Sequence, residues 1–291
     1  MLTVDAADGR ALEVLVDGPD SGDVLVFHTG TPSAVTPRSL LSEPATRLGL
    51  RTVQYSRPGY SASTARTGRS VAGCVDDVTA ILDHLGADRF VTAGWSGGGP
   101  HALACAALLP ERCRAAAILA GVAPYAAEGL DWMAGMAAEN VEEFGAAVEG
   151  AGALELYLER FAAELHGVTG DQVATALGGL VSEVDVKALT GDLAETLAAS
   201  LRQAVSTGIA GWRDDDLAFV RDWGFDLGSI QVPVAVWQGD QDRMVPFDHG
   251  RWLARHVPSA RSRLLKDEGH LSLISHQLDH VYDELLLAAR V

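Results

Sequence analysis

The stretch Val91-Thr92-Ala93-Gly94-Trp95-Ser96-Gly97-Gly98-Gly99-Pro100-His101 sets a serine between glycines two positions to either side. A turn tight enough to lift a serine hydroxyl clear of a strand end leaves no room for a Cβ at those two positions, and it aims the start of the next helix at a developing oxyanion. A β-like run precedes Ser96, an Ala/Leu-rich helical run from His101 to Leu109 follows, and Pro100 suits a first helical turn. Neither Gly-Lys-Ser/Thr nor Gly-x-Gly-x-x-Gly occurs here, which argues against a phosphate-cradling loop. Ser96 is therefore a candidate nucleophile. A serine hydroxyl needs a base, and the base needs an orienting acid. Two loops after β-like runs offer them: Gly239-Asp240-Gln241-Asp242-Arg243-Met244-Val245-Pro246, and Asp267-Glu268-Gly269-His270. Asp240 and Asp242 compete for the acid. His270 is the better base, because His256, His276 and His280 fall in expected helices.

The elements that must hold these residues can be read from periodicity. Strands are expected at Ala11–Val16, Val24–His28, Arg51–Tyr55, Phe90–Ala93 and Ala115–Ala120, several as continuous apolar runs typical of strands covered on both faces. Helices are expected at 38–48 and Val71–Leu85. From Ile230 the alternation resumes, with strands at Val232–Trp237 and Arg261–Leu265 and helices at Phe247–His256 and Ser272–Ala289. This is the order of a parallel α/β sheet, and both catalytic loops fall at the strand ends where such sheets bind ligands.

The middle of the chain breaks the pattern. It shows no convincing strand, a helical stripe of Leu154, Leu158, Phe161 and Leu165, and further expected helices at Asp171–Val184, Asp192–Val205 and Asp215–Trp223. The segment Val122–Asp226 carries 19 acidic and five basic residues. A solvated helical surface is expected for most of these acids, and a field from them, Asp214-Asp215-Asp216 included, would disfavour anionic substrates. The reading is one α/β core, 1–121 and 228–291, with a helical insertion at 122–227.

Composition narrows the partners. The 291 residues carry a formal charge of −17 and are 48% hydrophobic, a globular composition whose acid excess argues against nucleic acid and anionic membranes. Three cysteines are too few for a disulfide framework or a four-ligand zinc site. The opening residues carry no basic leader, and no run approaches the roughly 18 apolar residues of a membrane span. A cytoplasmic protein, monomer or homodimer, with a small-molecule substrate is expected.

These motifs resemble those of the α/β-hydrolase fold superfamily, specifically its lidded, esterase-like serine hydrolases. The resemblance spans essentially the whole chain, the middle zone matching in position and helical character as the family's cap. It implies a mostly parallel sheet flanked by helices, with the cap inserted before the last two strands. In such proteins the acid is the third residue after the Gly of Gly-x-x-Asp-x-x-Val-Pro; Gly239 to Pro246 matches, so the resemblance selects Asp242. Gly269-His270 matches the family's base. Arg57-Pro58-Gly59-Tyr60-Ser61 is similar to its Arg-Gly-x-Gly-x-Ser loop, whose role is mainly structural. His28-Thr29-Gly30-Thr31-Pro32 departs from the usual His-Gly-x-Pro, with Thr29 where His stands. The implied oxyanion donors are backbone groups, the N–H of Thr31 and of Gly97. Gly97 is smaller than the usual residue there, so a wider pocket floor is expected.

The resemblance implies cleavage of an ester-like bond (carboxylic ester, lactone or thioester) through an acyl-enzyme on Ser96, with no metal or organic cofactor. Aminopeptidase, carbon–carbon hydrolase, acyltransferase and cofactor-free haloperoxidase chemistry use the same residues, and a non-catalytic ligand-binding member is the alternative of another class. Trp132, Met133, Met136, Phe144, Tyr157, Phe161 and Trp212 are candidate pocket-lining residues, with core packing as their competing role.

Overall fold

The apolar runs of the first third become the centre of an eight-stranded sheet because side chains cover both of its faces. The computed structural model describes residues 1–37, 40–258 and 260–290. The strands are β1 (Leu2–Asp5), β2 (Ala11–Asp17), β3 (Asp23–His28), β4 (Leu50–Tyr55), β5 (Phe90–Trp95), β6 (Cys113–Leu119), β7 (Val234–Gly239) and β8 (Ala260–Leu265). They lie in the order β1-β2-β4-β3-β5-β6-β7-β8. β1 pairs antiparallel with β2 and β2 with β4, while all later pairings are parallel. β5 and β7 are buried along nearly their whole length. Leu25, Phe27, Val91 and Ala93 pack on one face with Leu273, Tyr282 and Leu285 of the final helix, and Val24, Val26 and Phe90 pack on the other with Val78, Leu82 and Leu103. The edge strand β8 is mostly exposed and carries Arg261 and Arg263, charges that discourage pairing with another sheet edge.

Chain order reverses direction across the sheet between β3 and β5, since β4 lies on one side of β3 and β5 on the other. A crevice outside the carboxyl ends of parallel strands opens at such a point. The loops after β3 and β5 meet there, and the loops after β7 and β8 reach the same rim.

Between β6 and β7 every regular element among the described residues is helical: Ala138–Glu149, Ala151–Leu165, Val173–Leu177, Glu183–Ala188, Gly191–Val205 and Ala210–Phe219, with short 3-10 turns. Leu154, Leu158 and Leu165 are buried as their spacing predicts. Several expectations needed correction. The helix read over Asp171–Val184 is broken, because Gly178 turns to φ 55° and ends the Val173–Leu177 segment. The last insertion helix is Ala210–Phe219, not Asp215–Trp223. Ala138–Glu149 and the short strand β1 were not anticipated. In the expected 38–48 helix only Ser42–Arg47 is helical, and Arg38 and Ser39 lie outside the described residues. Among the described residues no helix is long and apolar enough to cross a membrane.

Candidate active site

β5 ends at Trp95 and the chain turns at Ser96 with φ 56° into a 3-10 turn and the Gly99–Leu108 helix. A left-handed serine costs about 1–3 kcal/mol and persists only where its surroundings enforce it. The enforcement here is steric: a Cβ at Gly94 would collide with the Gly98 carbonyl, and one at Gly98 with the His28 carbonyl. The chain can pass only by turning sharply at Ser96, which puts that side chain in the wall of a cavity.

His270 lines the same cavity. It is the first residue of the His270–Ala289 helix, two positions before the expected start. Its Nδ1 lies 2.8 Å from Asp242 Oδ2. The other carboxylate oxygen, Oδ1, accepts the N–H groups of Met244 and Val245 at 2.9 and 2.8 Å, so the Asp242 side chain cannot swing away. Asp240 points elsewhere: it is exposed, and its Oδ1 accepts the Asp267 N–H at 2.9 Å. Burial pulls the His270 pKa down, but the Asp242 charge and hydrogen bond outweigh it, with Asp185 adding, and the net shift is upward. With Asp242 as acceptor, Nδ1 carries the proton and Nε2 remains a base. The Trp95 indole, beside Ser96, donates to the His270 carbonyl at 3.2 Å and ties the two loops together.

Asp185 was not singled out in the sequence. It comes from the insertion, is fully buried, and its Oδ1 accepts the N–H groups of Leu271 and Ser272 at 2.8 and 3.0 Å. A carboxylate there satisfies the orphan donors of the first turn and complements the helix dipole, so it anchors the helix that begins with His270.

Thr31 and Gly97 both line the cavity and lie side by side. A Cβ on neighbouring Gly30 would stand 3.3 Å from the Ser96 Cβ, which shows how closely this loop approaches the serine. Among the described residues no loop or turn backbone hydrogen bond engages the N–H of Thr31. The wider floor expected at Gly97 is not found, because a Cβ there would run into the Thr31 side chain and stand 3.0 Å from Phe219. The space a larger residue would fill belongs to those two neighbours.

Arg57 does more than the expected structural role of its loop suggests. Its guanidinium donates to the carbonyls of Thr29 and Gly30 at 2.6 and 2.7 Å and to the Thr31 hydroxyl at 2.8 Å. It is fixed in turn by Asp215 at 2.6 Å, which also pairs with Arg69 and accepts from Tyr60 and Thr31. Burial alone would raise the Asp215 carboxyl, but Arg57 and Arg69, with His101 behind them, hold it well below the usual carboxylate range. Asp214, Asp215 and Asp216 are all buried, so they are not among the acids on the solvated helical surface expected for most of this segment. Every residue of Gly211–Phe219 except Arg213 is buried, so the acids of this helix turn inward. Three successive residues span about 200° of a helix and cannot share one solvated face; that was the available signal.

Removing Asp215 leaves two buried guanidinium groups unpaired, a change that costs about 3–5 kcal/mol. Asp215→Asn is therefore expected to lower unfolding free energy in urea by about 3 kcal/mol or more. Its folded pKa lies below the unfolded value of about 3.9, so the stabilisation is whole above that pH and is lost as pH falls below it. A loss under about 1 kcal/mol would mean the pair is dispensable.

Of the expected lining residues, Phe144, Tyr157, Phe161 and Trp212 border the cavity. Trp132, Met133 and Met136 do not. Trp132 is core: its indole donates to the Ala123 carbonyl at 2.7 Å and its ring stands edge-on to Phe144. Met136 is buried in the same cluster. His28 is buried against Tyr55 and His101, and burial holds its pKa well below the usual value. Among the described residues no cluster of three potential metal ligands occurs.

A family model described as the alpha/beta hydrolase fold matches residues 23–277. The chain belongs to the alpha/beta hydrolase fold family. It is 29% identical to a pimeloyl-[acyl-carrier protein] methyl ester esterase of Chromobacterium violaceum, over 93% of this chain and 94% of the relative. It is 25% identical to a 2-hydroxy-6-oxononadienedioate/2-hydroxy-6-oxononatrienedioate hydrolase of Cupriavidus pinatubonensis, over 89% and 84%. Among solved structures it superposes on a bromoperoxidase from Bacillus anthracis with a TM-score of 0.71 and 19% identity, covering 100% and 99% of the two chains. The names of these relatives describe differing chemistries, and a shared fold does not by itself choose a substrate.

Proposed function

We propose that this alpha/beta hydrolase cleaves an ester-like bond through an acyl-enzyme on Ser96. The observation that carries the reading is the 2.8 Å His270–Asp242 pair opening on the same cavity as a serine held at φ 56°. Ser96 attacks the carbonyl while His270 Nε2 takes its proton. Asp242 stabilises the imidazolium and fixes its orientation. The tetrahedral oxyanion is met by the N–H groups of Thr31 and Gly97, whose loop Arg57 braces. His270 then protonates the leaving group, and water, deprotonated by the same base, releases the acid. The helical insertion, 122–227, serves as a cap: Phe144, Tyr157, Phe161 and Trp212 supply the cavity's apolar wall, and core 1–121 with 228–291 supplies the chemistry.

The relative that acts on an oxononadienedioate takes a substrate with two carboxylates. The cavity wall here holds no lysine or arginine among its described residues, so a second substrate carboxylate would be buried unpaired. A simple ester, lactone or thioester fits better. Incubation with a fluorophosphonate is expected to label one serine per chain, Ser96 by peptide mapping, with parallel loss of p-nitrophenyl ester hydrolysis. Hydrolysis that persists in fully labelled protein, or labelling at another serine, would refute the assignment.

A further inference from the structure

Four carboxyl side chains, Glu139, Glu143, Glu164 and Asp216, border the Ser96 cavity. Glu139 is engaged, accepting the Gly179 N–H at 2.7 Å. Asp216 is different. It is fully buried, and neither of its oxygens has a hydrogen-bond donor among the described residues. The carboxyl it faces is that of Glu143, whose Oε1 accepts from the Trp212 indole at 2.7 Å. Two carboxylates cannot satisfy each other unless a proton lies between them. Burial raises both from the usual range, and the Glu143 charge raises Asp216 further. The Arg69 charge pulls Asp216 the other way without offsetting burial and Glu143. A buried carboxyl with no donor on either oxygen is costly, and a cationic ligand in the cavity would supply donors to it.

We propose that Asp216 and Glu143 form a subsite for a positively charged amino group of the substrate, so that the preferred esters carry an ammonium near the scissile carbonyl. An ammonium offers three donors and no acceptor, the complement of this pair. The subsite adjoins the reacting centre: Phe219, about one helical turn after Asp216, is the residue that a Cβ at Gly97 would approach to 3.0 Å. The inference rests on the hydrolase reading above and names the substrate class of the same site.

The test compares p-nitrophenyl esters of ω-aminohexanoic, ω-hydroxyhexanoic and heptanoic acids, together with acetates of the matching amino-, hydroxy- and unsubstituted alcohols. In the unmodified enzyme kcat/KM is expected to favour the ammonium member of at least one set by about tenfold or more, the scale of a charge-assisted bond. Asp216→Asn and Glu143→Gln should each bring that ratio to about one. No ammonium preference in either set, an equal preference for the hydroxyl, or a preference surviving both substitutions would overturn the proposal. Should the variants fail to fold, hexylammonium and hexanol are compared as competitive inhibitors of the unmodified enzyme on the heptanoate ester. Stronger inhibition by the ammonium is expected, and equal inhibition overturns the subsite. Absence of turnover on every ester would refute the hydrolase reading alone, because calorimetric titration with hexylammonium against hexanol still decides the subsite: tighter ammonium binding supports it, and equal binding overturns it.

Discussion

Ser96→Ala is expected to reduce ester turnover by about 10⁶-fold while leaving the protein folded. The substitution removes one oxygen and keeps the Cβ, so the turn at φ 56° carries the same strain as before. The glycines that force the turn, Gly94 and Gly98, are untouched, and the unfolding midpoint should stay close to that of the parent. What disappears is the group that forms the acyl bond. The proposed oxyanion donors, the N–H groups of Thr31 and Gly97, and the cavity remain, so a small residual rate above the uncatalysed reaction is expected. Steady-state kinetics on a p-nitrophenyl ester with freshly purified protein checks this. Turnover within about tenfold of the parent would mean that another residue is the nucleophile.

Asp242→Asn should cost about 10⁴-fold in turnover, and Asp240→Asn less than about tenfold. The contrast follows from the hydrogen bonds. Asp242 Oδ1 accepts two backbone N–H groups, from Met244 and Val245, so in asparagine the amide oxygen takes that place. The amide nitrogen is then turned toward His270 Nδ1, where it can only donate. This forces the imidazole proton onto Nε2, the atom that must accept from Ser96. Among the described residues the Asp240 carboxylate meets the Asp267 N–H and the Gln241 amide at the surface, and an asparagine oxygen can still accept there.

The pH profile adds an independent check. Since burial lowers the His270 pKa but Asp242 more than offsets it, activity should fall on acidification through a value above the usual histidine pKa of about 6.5. Without the Asp242 charge, burial is left to dominate and the acid limb of the residual activity should move downward. A large loss for Asp240→Asn with Asp242→Asn nearly silent would reverse the assignment.

The residues legible without a structure are those whose constraints are local. Gly94, Ser96 and Gly98 are read together because a tight turn excludes a Cβ within two residues of itself. The Gly239–Pro246 and Gly269-His270 stretches are legible as loops after apolar runs, although choosing Asp242 over Asp240 needed the family resemblance. The central strands were visible because burial on both faces demands continuous apolar runs. β1, with four residues, a single fully buried side chain and no such run, was not.

The tertiary structure decided which acids meet which bases. Asp215 and Arg57 lie 158 positions apart, and Asp185 lies 86 and 87 positions from the N–H groups it caps. A count of charges treats all such acids alike and assigns them to solvent, because charged groups are seldom buried without partners. Partners are a property of packing. Only when the Ala210–Phe219 helix enters the interior do three consecutive aspartates acquire different surroundings: Asp214 beside Arg213, Asp215 between two guanidinium groups, and Asp216 against Glu143 at the cavity wall. Sterics and periodicity act over a few residues, and so the Gly94-Ser96-Gly98 turn, the two candidate loops and the parallel α/β class were legible in the sequence. The bracing of the Thr29–Thr31 loop by Arg57 and the charges lining the Ser96 cavity were decided by contacts between distant segments, where burial strengthens each charge's interaction with its neighbours and leaves an unpaired one costly.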